Sequence, residues 1–114
     1  MIEVEKLPEL APPYEILELE TGKEYRFTVA GYEVGKMTIV PRKYPSTGQK
    51  TVVAVRIHVP QREKPAFPHY WDITPARLVY QLIGMLTAQR PEGRIIAITR
   101  DQPGTAAHFS VKFL

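Results

Sequence analysis

Residues 42–50, RKYPSTGQK, hold three cations and a ring: Arg42, Lys43, Tyr44 and Lys50. Cations answer phosphates and aromatic faces answer bases, the two devices that grip a single polynucleotide strand. Tyr44, in a loop of prolines and lysines, has little core to fill, which makes it the stronger ring. The same two side-chain types recur elsewhere. Arg26, Tyr32 and Lys36 alternate along one extended stretch, Arg56 and His58 along a second, and Tyr70 and Trp71 stand in a third. Arg100 closes a later stretch, beside a turn.

Each of these has an ordinary counterpart. Lys and Arg decorate the outer face of any antiparallel sheet. By itself Arg56 reads as a solvated charge and Tyr32 as a ring packed at a sheet edge. The histidines at 58, 69 and 108 have no metal-ligand spacing. Ser46 and Ser110 belong to no motif with His and Asp, and no Gly-rich phosphate loop, HExxH or carboxylate pair occurs. The expectation is a binding protein rather than an enzyme, with no catalytic residue, metal or cofactor.

The elements that must position these residues follow from pattern. The 114 residues suffice for one core, and 44% hydrophobic with 24% charged is ordinary for a globular chain. Cysteine is absent, which removes disulfides and thiolate chemistry. No apolar run reaches membrane length, and MIEVEKLPEL has no apolar signal core, so no membrane partner and a cytoplasmic site are expected. Eleven prolines with no asparagine match part of the thermophile pattern.

The net charge of +3 conceals a split. Residues 1–24 carry seven Glu and two Lys, −5, whereas residues 25–114 carry thirteen Lys or Arg and five Asp or Glu, +8. An acidic arm, residues 1–15 with Pro8, Pro12 and Pro13, reads as extended and mobile at its start. A basic domain, residues 16–114, follows it. Basic domains suit polyanions, nucleic acid first among them.

Period-two alternation marks strands. Residues 25–39 read either as one strand bent at its glycines or as a hairpin turning at Val34-Gly35-Lys36; the bent strand is favoured. TVVAVRIHV (51–59) is a second strand, HYWDI a third, RIIAITR (94–100) a fourth and AHFSVKFL a fifth. PQREKPAFP (60–68) is a second basic loop bounded by prolines. Between the third and fourth strands, Thr74 as N-cap, Pro75 at the first helical position and an apolar stripe at Leu78, Val79, Leu82, Ile83 and Leu86 predict a helix, ended by Pro91 and Gly93. Ile73 and Leu78 would staple its start. The fold class expected is therefore mainly β with one helix, in the order β-β-β-α-β-β. Five strands with one helix would close into a small OB-like barrel.

Two stretches resemble single-stranded DNA-binding proteins of the OB-fold class. LELETGKEYRFTVAGYEVG is similar to the entry of such domains, and YWDITPARLVYQLIGML resembles the passage from third strand to helix in phage-type and archaeal forms. The likeness covers residues 16–114 as a pattern. It implies a barrel whose exposed sheet face and whose first and last hairpin loops hold single-stranded nucleic acid, DNA before RNA. The acidic C-terminal tail of the bacterial form has no counterpart before Leu114.

Parity decides Trp71, the only tryptophan. Ile73 must point inward to staple the helix, so Trp71 shares its face as a core anchor and Tyr70 points out to stack. A bulge before the helix would reverse the two, which keeps Trp71 among the candidates. A rival reading makes the barrel a protein adaptor in a replication, repair or viral assembly. The arm would then dock on a basic partner; alternatively it would fold across its own groove as a competitor of nucleic acid. A homo-oligomer would add affinity by linked binding.

Overall fold

A computed structural model describes residues 6–39, 48, 50–102 and 108–114. Six strands and one helix follow in order: β1 (Glu24–Thr28), β2 (Gly31–Ile39), β3 (Lys50–His58), β4 (Tyr70–Ile73), α1 (Ala76–Ala88), β5 (Ile95–Arg100) and β6 (Phe109–Phe113). The molecule is mainly β with one helix, as the pattern predicts. It has six strands rather than five, in two antiparallel three-stranded sheets, β1-β5-β6 and β2-β3-β4. Among the described residues no ladder joins the sheets, so they do not form the closed barrel expected.

The extra strand arises where the long first strand breaks. At Val29–Ala30 the chain passes from one sheet to the other. Val29 N–H donates to the Arg94 carbonyl (2.9 Å), Gly93 N–H to the Val29 carbonyl (2.7 Å), and Ala30 N–H to the His58 carbonyl (2.8 Å). The break lies just before the glycines that suggested it. The alternative hairpin is excluded, because Val34, Gly35 and Lys36 are mid-strand in β2, opposite Val55, Ala54 and Val53.

The main core lies between the sheets and under α1. Phe27, Val55, Ile57, Ile73, Ile96 and Ile98 come from the strands; Leu78, Val79, Leu82 and Leu86 come from the helix. Ile73 and Leu78 are both fully buried in this core. The helix starts one residue later than the sequence suggests. Pro75 takes the cap position, and no side chain caps the first turn.

The arm, expected to be extended, is a strap over residues 8–17. Residues 8–10 run parallel to the β2 edge: Leu10 N–H donates to the Lys36 carbonyl and Lys36 N–H to the Pro8 carbonyl, both 2.9 Å. Residues 15–17 run parallel to the β4 edge: Asp72 N–H donates to the Glu15 carbonyl (2.7 Å) and Leu17 N–H to the Asp72 carbonyl (2.9 Å). Between these anchors the Pro13 carbonyl receives the Tyr70 hydroxyl, so the strap passes over the outer face of the sheet. Under it Leu10, Met37 and Ala54 form a second small core, flanked by Tyr14, Ile39 and Val52.

Candidate functional site

The twelve candidate residues fall in different places. Ladder register puts Arg56 between Glu33 and Asp72, and His58 between Gly31 and Tyr70, all on the outer face of β2-β3-β4, with Lys50 exposed at its end. Tyr32 and Lys36 occupy the opposite face, beside Ile57 and Val53. They were expected outside with Arg56. The sheet switch at Val29–Ala30 resets the alternation, and Tyr32 packs against the main core instead. Arg26 lies on the other sheet, exposed and paired with Glu24, whose carboxyl that guanidinium holds below its ordinary range. Arg100 ends β5 half-buried, donating to the Gln102 carbonyl (3.2 Å). Arg42, Lys43 and Tyr44 lie outside the described residues.

The outer face does not have the character expected of it. Arg56 is 4% exposed and Asp72 fully buried, in a two-point ion pair of 2.7 and 3.2 Å. Burial opposes the guanidinium's charge, but the Asp72 hydrogen bonds and charge outweigh it and hold Arg56 above its ordinary value. Asp72 also accepts from the Glu15 N–H at 2.9 Å. Tyr70 points away from the main core, as parity requires, yet it is buried. The Arg56 guanidinium stacks 4.0 Å from its ring centre, and its hydroxyl donates to the Pro13 carbonyl at 2.5 Å. Burial raises the Tyr70 pKa. His58 donates to Glu33 at 2.7 Å across the uncovered end of the face. The strap and two carboxylates thus neutralise the surface on which Arg56 and Tyr70 were to meet a strand.

Trp71 is half-buried on the core side, 6.4 Å from Phe27 in a tilted pair. The two rings line a groove of about 370 Å³, completed by Arg26, Thr28, Val59, Glu63 and Ile95. Glu63 brings loop 60–69 to its wall. Thr28 N–H donates to Glu63 (3.0 Å), which ties the loop to the end of β1. Lys64 Nζ donates to the Pro68 carbonyl (2.6 Å), sits 4.9 Å from the Trp71 ring centre and lies 3.6 Å from Glu15 of the strap. His69 Nδ1 donates to the Lys64 carbonyl at 2.8 Å. Against this braced loop Phe67 is 74% exposed, edge-on to His69 at 6.2 Å.

Phe67, Lys64 and Glu63 escaped notice in the sequence, although the signal was present. An aromatic between prolines in a basic loop singled out Tyr44, and Phe67 meets the same description. Among the described residues no cluster of His, Asp or Glu could hold a metal ion, and no helix is long and apolar enough to cross a membrane. No protein-family model, curated protein or solved structure matches this chain.

Proposed function

We propose that this protein binds single-stranded nucleic acid, DNA in preference to RNA, with little regard to sequence. The observation that carries the reading is the groove between β1 and loop 60–69. Half-buried Trp71 and the edge of buried Phe27 line it with exposed Arg26 at its rim, and the loop that contributes Glu63 to it also carries exposed Arg62 and Phe67. Aromatic faces take bases in any order, because every base has a π-face. The +8 charge of residues 25–114 supplies the phosphate attraction.

Topology supports an OB-like reading. Read through the break at Val29–Ala30, the strand order is β4-β3-β2/β1-β5-β6, a five-stranded path whose bent strand is shared by both sheets. Such a barrel would be open between β4 and β6. The loop carrying Arg42, Lys43 and Tyr44 joins β2 to β3 and is proposed as a second contact. Trp71 serves as a groove wall and Arg26 as a phosphate contact; Arg56 and Tyr70, sealed under the strap, serve the fold.

The test is fluorescence anisotropy of labelled oligo-dT at low and high salt, with duplex DNA and matched RNA as competitors. Binding that weakens with salt, survives duplex and yields less readily to RNA than to unlabelled oligo-dT is the expected result. No binding at low salt overturns the proposal, and the adaptor reading, with exposed Phe67 as its anchor, would replace it.

A further inference from the structure

The strap is bound as a separate peptide would be bound. Its segments add as parallel strands to the edges of β2 and β4, and strand addition is a common mode of peptide recognition. Leu10, 4% exposed, is the side-chain anchor in a site made by Met37 and Ala54. Gly35 is the floor. A Cβ there would lie 2.7 Å from the Pro8 carbonyl oxygen and 2.8 Å from Leu10 Cγ, so the close seating of the strap requires glycine. Tyr70 adds the hydroxyl bond to Pro13. Farther along, Leu17 and Leu19 enter the main core.

What joins this unit to β1 is the turn Glu20–Lys23, exposed throughout, with Gly22 at φ 84°. Gly22 N–H to the Arg100 carbonyl, Glu20 N–H to the Tyr25 hydroxyl and Lys23 N–H to the Glu20 carbonyl close it, with a parallel bridge of Thr21 to Arg100 and Lys23 Nζ 5.3 Å from the Tyr25 ring centre. An exposed glycine turn between a seated segment and the body that seats it is the anatomy of a hinge for segment exchange. The one sequence shown to fit the site is residues 8–19, and a second copy of the chain carries it. Exchange preserves every contact of the strap and opens only the turn.

We infer that residues 8–19 are an exchangeable element: the outer face of β2-β3-β4 accepts the strap of a second copy, giving a two-fold dimer in which each arm lies on its partner.

Two variants of the full chain test this as a complementing pair. Gly35→Val blocks the site and leaves a seatable arm; Leu10→Glu spoils the arm and leaves the site open. Each alone should run as a monomer by light scattering. An equimolar mixture, refolded together at high concentration, should contain a species of twice the 13.0 kDa chain mass, carrying both variants by mass spectrometry. A mixture that stays monomeric while both variants keep their sheet circular dichroism overturns the inference. Should either variant fail to fold, Gly35→Ala with Leu10→Ala repeats the experiment more gently. Wild-type chains carrying two distinguishable tags and refolded together give the independent readout, and absence of mixed dimers there overturns the inference as well.

Discussion

Arg56 and Asp72 stand opposite each other on the β3–β4 ladder and close a two-point ion pair out of contact with solvent. The pair joins three layers, because Asp72 also receives the Glu15 N–H of the strap and Arg56 stacks on Tyr70. Removing one partner leaves a buried charge uncompensated. Asp72→Ala or Arg56→Ala should lower stability by about 3–5 kcal/mol, read as a fall in the urea midpoint. A change under 1 kcal/mol would mean that the pair is open to water.

Gly35→Ala tests the seating of the strap without altering the main core. The added methyl meets backbone and Leu10 at distances that force movement. Hydrogen exchange of the Leu10 and Lys36 amides should quicken, while those of Ile57 and Ile98 stay protected. Unchanged exchange at Leu10 would show that the strap tolerates the methyl.

Tyr70 gives the strap a pH dependence. Burial raises its pKa, so the folded state favours the neutral phenol. The stabilisation is complete below the ordinary tyrosine value of about 10 and is lost as pH rises through the raised folded value. A phenolate also has no proton to donate to Pro13. Tyr70→Phe should cost about 0.5–1.5 kcal/mol at neutral pH and lose less stability than wild type above pH 10 or so. Equal alkaline losses in the two proteins would remove Tyr70 as the cause.

Phe67 and Tyr44 separate the two proposed contacts. If each stacks on a base, Phe67→Ala and Tyr44→Ala should each weaken oligo-dT binding by about 1–3 kcal/mol. Arg42→Ala and Lys43→Ala should each reduce the salt slope by about one unit. Full affinity in Phe67→Ala would move the site away from loop 60–69.

The sequence made the elements legible and left the faces obscure. Alternation from Val53 to Val59 and the stripe from Leu78 to Leu86 report local burial, which a period can express, and both match the fold. The break at Val29–Ala30 is set by Arg94, Gly93 and His58, far off in sequence, so the parity carried across it failed for Tyr32 and Lys36. The strap defeats pattern reading for a similar reason. Pro8, Pro12 and Pro13 mark an extended arm, but nothing local says where it lies until Gly35 and Ala54 are seen to leave room for it. Arg56 shows no sign in sequence that Asp72, sixteen residues on, will neutralise it.

Trp71 is the chain's only tryptophan, so its emission reports the groove without a label. The most direct measurement is a titration of that emission with oligo-dT at low salt, repeated in Phe67→Ala. Binding in the groove predicts quenching that saturates, reverses on adding salt and needs more oligonucleotide in the variant. Emission that stays constant while labelled oligo-dT binds would contradict the groove as the site.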